Sequence, residues 1–178
     1  MEVFEPGQDR KVAALRTSFH VHFFIGVISM DFKYMEMALN EAKKAFKRGE
    51  VPVGAVIVKN GKIIAKTHNI KEKKQCSICH AEILAIIKAS KKLKNWRLED
   101  CDIYVTLEPC PMCASAIKQA RIKNVYSGLK NSDLNNNNLI KEIFKTDSVN
   151  PAINFYNDLA VEKSGTLLQK FFSDRRKM

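Results

Sequence analysis

The chain has 178 residues, of which 46% are hydrophobic and 28% are charged. This length suits one domain with a single hydrophobic core. With only 7 glycines and 5 prolines, the composition excludes collagen-like and other fibrous classes. No run approaches the roughly 18 apolar residues that a membrane span needs, so we expect no membrane association.

The net charge is strongly positive. Lys and Arg total 30 against 19 Asp and Glu, which gives a formal charge of +11. Such a field attracts polyanions, and nucleic acid is the first candidate. A lysine-rich solvated surface without any ligand explains the same charge equally well. Charge alone therefore raises nucleic-acid binding as a hypothesis without deciding it.

Residues 1–30 differ from the rest of the chain. An apolar stretch at 19–28 imitates a signal peptide, but His20 and His22 interrupt it and no small-x-small cleavage site follows. We expect an atypical N-terminal extension that is either disordered or the product of a start codon assigned too early. The folded domain is predicted to cover residues 31–178.

Regular patterns begin at Phe32. Apolar residues recur at three- and four-residue steps up to Phe46, which predicts a helix that ends before Gly49. Asn60-Gly61 is the strongest short hairpin signal and lies between apolar runs. The further predicted elements, in chain order, are strands at 53–58 and 63–65, a helix at 81–89, a strand at 103–106, a helix at 111–120, a strand at 124–126 and a last helix at 153–172.

This order predicts an α/β fold. We expect a three-layer sandwich, in which a mixed, mostly five-stranded sheet carries helices on both faces. Strands that are separated by helices should run parallel through right-handed crossovers. The Asn-rich segment at 130–138 is too low in complexity to assign.

The five cysteines contain two Cys-x-x-Cys pairs, Cys76 with Cys79 and Cys110 with Cys113. In the absence of a convincing secretory signal we expect a cytoplasmic protein. A reducing compartment favours metal or redox chemistry over structural disulfides. Metal binding is the leading interpretation of the two pairs.

Two arrangements compete for one zinc ion. The first uses all four paired cysteines as a closed structural site, but thirty residues separate Cys79 from Cys110, beyond the roughly 15–20 of a zinc ribbon. The second uses His80, Cys110 and Cys113 and leaves a fourth position for water, as catalytic zinc requires. Spacing favours the second arrangement.

Glu82 adds to that constellation because it follows His80 by two residues. His-x-Glu followed by Pro-Cys-x-x-Cys is the signature of zinc-dependent nucleobase deaminases. Zinc lowers the pKa of a bound water towards ~7. Glu82 is then expected to act as the proton shuttle rather than as a ligand.

The sequence resembles the bacterial tRNA-specific adenosine deaminases of the cytidine deaminase-like superfamily. The resemblance runs from about Phe32 to the C-terminus, on the blocks at 50–56, Asn69, 80–83, 95–98, 104–113 and 171–176. It implies conversion of the wobble adenosine in a tRNA anticodon stem-loop to inosine, with one zinc per subunit of a homodimer.

The resemblance also implies roles for particular residues. Asn69 is expected to contact the target nucleoside, and the backbone around Ala81 and Cys110 to line the pocket. The implied tRNA contacts near the C-terminus are Phe171, Phe172, Arg175 and Arg176. Stacking aromatics and phosphate-neutralising arginines suit that role, although an amphipathic helix whose phenylalanines pack on the core has the same pattern.

The chain departs from the family pattern before the histidine, where Cys76-Ser77-Ile78-Cys79 stands in place of Asp-Pro-Thr-Ala. The Asn-rich segment likewise replaces a Gly-containing substrate loop. Two further functions therefore stay open. One is deamination of a free base or nucleoside such as cytosine, cytidine or guanine, and the other is a non-catalytic RNA-binding module with a four-cysteine zinc.

Overall fold

The computed structural model describes residues 32–131 and 138–177, so the predicted extension at 1–30 lies outside the described residues. Helix α1 covers residues 32–46. The elements that follow are β1 Gly54–Lys59, β2 Lys62–His68, α2 Lys71–Lys74, α3 Ala81–Leu93, β3 Cys101–Val105, α4 Pro111–Gln119, β4 Asn124–Ser127, α5 Leu139–Phe144, β5 Asn154–Tyr156 and α6 Val161–Arg176. Within these described ranges, no helix is both long enough and apolar enough to cross a bilayer.

The five strands form one mixed sheet in the order β2-β1-β3-β4-β5. Strand β1 runs antiparallel to both β2 and β3, whereas β3, β4 and β5 run parallel to one another. The predicted hairpin is confirmed, with Asn60 and Gly61 both at positive φ (49° and 74°) as a type I′ turn requires. The mixed α/β sheet is therefore as the sequence predicts.

Apolar residues on the two faces of the sheet pack against different helices, so the fold has three layers. One face, which includes Ile57 and Ile103, packs on α3 and α4. The other face, which includes Val56 and Tyr104, packs on α1. This alternation follows from the two-residue period of a strand. The predicted three-layer sandwich is confirmed.

The predicted last helix at 153–172 is wrong at its start. Residues Asn154–Tyr156 form strand β5, paired in parallel with β4, and helix α6 begins only at Val161. The segment Ile153-Asn154-Phe155-Tyr156 is too short for its hydrophobic periodicity to distinguish a strand from a helix. Pairing with β4, which is distant in sequence, decides its structure. The sequence also left helices α2 and α5 unassigned.

Gly54 marks the closest approach between helix α1 and the sheet. A Cβ atom at this position would lie 2.0 Å from the Ala38 carbonyl oxygen and 2.6 Å from the Ala42 amide nitrogen. Both atoms are backbone and cannot move aside without shifting the helix. Glycine is therefore required for α1 to pack directly on β1.

Candidate active site

Two helix N-termini meet at the candidate site. His80 is the residue before α3 and Cys110 the residue before α4, and both have extended backbone conformations. Pro111 occupies the first turn of α4, where its missing N–H is harmless. Cys113 therefore lies in the first turn of α4, one turn from Cys110. The positive ends of two helix dipoles favour thiolates here.

The three predicted ligand residues come together in space. His80 Nδ1 lies 3.8 Å from Cys110 Sγ and 3.5 Å from Cys113 Sγ. Tetrahedral zinc with Zn–N of about 2.0–2.1 Å and Zn–S of about 2.3 Å requires N···S separations of about 3.6 Å. The donor atoms therefore already stand at the spacing of a zinc site.

The competing four-cysteine site does not form. Among residues 32–131 and 138–177, His80, Cys110 and Cys113 are the one group of three or more potential ligands whose donor atoms lie within 4.8 Å of one another. Cys76 and Cys79 do not join it. The structure thus brings together the histidine arrangement and leaves the first cysteine pair apart.

The ligand side chains share protons when no metal is bound. A hydrogen bond from the Cys113 thiol, together with one from His80, lowers the pKa of Cys110 to about 4 despite partial burial. The same hydrogen bond and burial raise the pKa of Cys113. Hydrogen bonding to Cys110 raises the pKa of His80. A bound metal cation would displace these protons, and both sulfurs would then ligate the metal.

Glu82 lies in the first turn of α3 and is only 4% exposed. Burial raises the pKa of its carboxyl group, and the Cys110 sulfur adds to the increase. A carboxyl group with a raised pKa beside a metal site is suited to accept and return a proton near neutral pH. The structure thus places a buried carboxyl group beside the three candidate ligands.

A cavity of about 180 Å³ opens beside this cluster and is lined by Asn69, His80, Ala81, Glu82 and Cys110 among others. Asn69 is 6% exposed. Its Oδ1 atom is buried without a hydrogen-bond partner in the described part of the chain. A buried amide oxygen without a partner is costly unless a ligand supplies a donor. Asn69 is therefore ready to accept a hydrogen bond from a molecule in the cavity.

Two buried glutamates that the sequence analysis missed support the cavity. Glu108 Oε2 accepts the Asn131 backbone N–H at 2.9 Å, and both residues line the cavity. Glu50 accepts the backbone N–H groups of Glu72 at 3.1 Å and Lys73 at 2.7 Å, which anchors helix α2. The sequence signal that could have identified these glutamates is an acidic residue within an otherwise apolar segment, as in Glu50-Val51-Pro52-Val53 and Leu107-Glu108-Pro109.

A larger groove of about 660 Å³ leads away from the cavity, with which it shares Val51, Leu107 and Asn131. Phe172 and Arg176 of helix α6 line this groove.

The predicted C-terminal contacts therefore divide into two pairs. Phe171 is 5% exposed and packs edge-on against Phe46, whereas Phe172 is 47% exposed. Arg175 lies over the Phe171 ring and donates to the Gly49 carbonyl oxygen at 3.1 Å. Phe171 and Arg175 anchor the helix, and Phe172 and Arg176 face the groove.

Residues 29–176 match the MafB19-like deaminase family. The tRNA-specific adenosine deaminase of Bacillus subtilis is 42% identical over 150 residues, which are 84% of this chain and 93% of that protein. The chain belongs to the tRNA-specific adenosine deaminase family. The family's enzyme from Rickettsia typhi is also 42% identical, over 80% of this chain and 97% of its own length.

Solved structures agree with this family assignment. A tRNA:A34 deaminase, studied for A-to-I editing at the wobble position of transfer RNA, superposes with a TM-score of 0.70 at 37% identity, over 77% of this chain and 99% of that chain. The guanine deaminase of Bacillus subtilis superposes with a TM-score of 0.55 at 34% identity, over 81% of this chain and 92% of that chain. Both tRNA and free-base deaminases therefore share this fold, so the fold alone does not choose the substrate.

Proposed function

We propose that this protein hydrolyses adenosine to inosine at the wobble position of a tRNA anticodon and releases ammonia. The observation that carries the proposal is the cluster of His80, Cys110 and Cys113 beside buried Glu82. The cluster lies in a chain that is 42% identical to a tRNA-specific adenosine deaminase.

One zinc ion per subunit is the proposed cofactor, held by His80, Cys110 and Cys113. The donor set fits zinc because two thiolates and one imidazole stand at tetrahedral spacing. When bound, zinc supplies Lewis acidity that lowers the pKa of a water molecule towards ~7.

The protein's own side chains perform the proton transfers and hold the base. Glu82 takes a proton from the attacking water and returns it to the ring nitrogen beside the attacked carbon. It then takes the proton of the new hydroxyl group on that carbon and transfers it to the departing amino group, so that ammonia leaves and the carbonyl of inosine forms. Asn69 Oδ1, which has no hydrogen-bond partner in the described residues, accepts a hydrogen bond from the nucleoside. The backbone at Ala81 and Cys110 forms the cavity wall.

The anticodon strand is proposed to lie in the groove that leads from the cavity. Phe172 offers an exposed ring for a splayed base, and Arg176 offers a cation for a phosphate. Phe171 and Arg175 hold the helix that presents them. The net charge of +11 supports a polyanionic substrate over a small neutral one.

We also propose a cytoplasmic homodimer whose folded domain covers residues 31–178. The family match begins at residue 29, close to that boundary. The exposed Trp96 ring, with Arg97 stacked at 4.2 Å, offers an apolar surface of the kind that interfaces bury. Light scattering of the purified protein measures its oligomeric state.

Deamination of a free base is the second candidate, and the likeness to guanine deaminase favours it over a non-catalytic RNA-binding module. The deciding experiment incubates the zinc-loaded protein separately with an anticodon stem-loop, guanine, cytosine and cytidine, and measures inosine and ammonia. We expect inosine in the stem-loop and no ammonia from the free compounds. Ammonia from a free compound with no inosine in the stem-loop rejects the tRNA function.

A further inference from the structure

The Cys76–Cys79 pair has no role in the proposed deaminase chemistry. Both thiols are partly exposed. Neither belongs to the group of metal ligands found in residues 32–131 and 138–177. The pair is thus a second pair of thiols, located immediately before His80 in the chain.

The backbone holds the two cysteines at a separation suited to a disulfide. The Cys79 N–H donates to the Cys76 carbonyl oxygen at 3.1 Å, which closes a four-residue turn. The end residues of such a turn have Cα atoms closer than about 7 Å, and disulfides span about 4.4–6.8 Å. Rotation of the two side chains is then sufficient to bring the sulfurs together.

Contacts on either side fix this turn in place. The Cys76 N–H donates to the Lys71 carbonyl oxygen at 3.1 Å, and the Cys79 carbonyl oxygen accepts the Ile70 N–H at 3.2 Å. Both ends of the turn are therefore tied to the start of helix α2. Because these bonds already exist in the reduced protein, a disulfide needs no rearrangement of the backbone.

The chemical surroundings favour reaction with an oxidant. Helix α2, directly before the pair, carries Lys71, Lys73 and Lys74. The hydrogen bond from Cys79 lowers the pKa of Cys76, which increases its thiolate fraction. Partly exposed thiols with lowered pKa values in basic surroundings are the ones that oxidise reversibly. Cys101 is the opposite case, because burial raises its pKa to about 11.

We infer that Cys76 and Cys79 form a reversible oxidation site that reacts with small-molecule disulfides of the glutathione class. The Cys76 thiolate attacks one sulfur of the oxidised compound, forms a mixed disulfide and releases one small thiolate. Cys79 then loses its proton, attacks the Cys76 sulfur and releases the second small thiolate. Two protein thiols become one disulfide, and one small disulfide becomes two thiols.

The test uses the full-length reduced protein with oxidised glutathione as the probe, followed by alkylation, trypsin and mass spectrometry. Trypsin separates the pair, on a peptide of residues 75–88, from Cys101, Cys110 and Cys113, on residues 98–118. We expect the 75–88 peptide to lose two hydrogen masses and resist alkylation, and dithiothreitol to reverse both changes. Cys101, on the 98–118 peptide, should stay alkylated because its thiol is buried.

Single variants separate the two steps. Cys79→Ser should accumulate a glutathione adduct on Cys76, since no second thiol resolves it, and Cys101→Ser should behave as the unchanged protein. A 75–88 peptide that remains alkylated, or one that keeps glutathione in the unchanged protein, overturns the inference. This readout involves no deamination, so it stands or fails separately from the proposed function.

Discussion

His80 and Cys113 are 33 residues apart in the chain, yet His80 Nδ1 lies 3.5 Å from Cys113 Sγ. The contact exists because α3 and α4 pack on the same face of the sheet with their N-termini side by side. Each helix contributes ligands from its first turn or from the residue before it. The candidate metal site is therefore a consequence of how two helices are placed on one sheet.

The ligand set predicts which substitutions remove zinc. His80→Ala and Cys113→Ser should each lower the zinc content of the purified protein by more than about tenfold, because each removes a direct ligand. Cys76→Ser and Cys79→Ser should retain one zinc per chain, since these thiols lie outside the ligand group. Metal analysis after dialysis measures both outcomes. Loss of zinc in the Cys76 or Cys79 variants would support the four-cysteine site instead.

The buried carboxyl group of Glu82 predicts a variant that separates chemistry from folding. Glu82→Gln should lower kcat by about 10²–10⁴-fold, because the proton shuttle is lost, while zinc content and Tm stay unchanged. Glu72→Gln is the matched control, an exposed glutamate at the start of α2. Activity near that of the control in Glu82→Gln contradicts the assigned role.

The two adjacent phenylalanines of α6 should respond differently to the same substitution. Phe171→Ala should lower the free energy of unfolding by about 3–5 kcal/mol, since it empties a buried site against Phe46. Phe172→Ala should leave stability nearly unchanged but weaken stem-loop binding by about 1–3 kcal/mol through lost stacking. Denaturant unfolding and a binding titration distinguish them. If Phe172→Ala and the unchanged protein bind the stem-loop with equal affinity, the Phe172 ring does not contribute to RNA binding.

Gly54 should not tolerate a methyl group. Gly54→Ala places Cβ against two backbone atoms of α1, so we expect the free energy of unfolding to fall by about 1–3 kcal/mol. Gly165→Ala is the control, because the nearest atom to its added Cβ lies at 4.0 Å. Thermal unfolding compares the two variants. A stable Gly54→Ala protein would mean that α1 does not contact β1 this closely.

Glu41 predicts a pH-dependent contribution to stability. Burial raises the pKa of its carboxyl group, but hydrogen bonds from Lys44 and His68 lower it by more, so the pKa lies below its usual range. Its contribution is therefore present above the unfolded-state pKa of about 4.3 and is lost as pH falls through the folded-state value.

The corresponding variant tests this dependence. Glu41→Gln should be less stable by on the order of 1 kcal/mol at pH 7. The difference should shrink as pH falls below about 4. Unfolding curves at both pH values measure it, and a constant difference contradicts the pKa assignment.

Much of the site was predictable because its signals are local. His80-Ala81-Glu82 and Cys110-Pro111-Met112-Cys113 each occupy one helix turn, so their spacing predicts the three candidate ligands that the structure brings together and a carboxyl group beside them. The Asn60-Gly61 turn and the helix ending before Gly49 are equally local, since both depend on residues that accept positive φ.

Other features depend on contacts between distant segments. Strand β5 exists because Asn154–Tyr156 pairs with β4, and nothing in those three residues excludes a helix. Phe171 and Phe172 are the same residue type, and only the packing of α6 against Phe46 decides which one is buried.

Features that the sequence predicts differ from features that only the tertiary structure decides for a physical reason. Residue spacing within one helix turn is set by covalent geometry, so the sequence by itself predicted the candidate ligands and Glu82, and it determined the hairpin. Burial and the pairing of distant strands are set by how the elements pack together. Only the tertiary structure therefore left Asn69 Oδ1 buried without a partner among the described residues, excluded Cys76 and Cys79 from the metal group and turned Phe172 towards the groove.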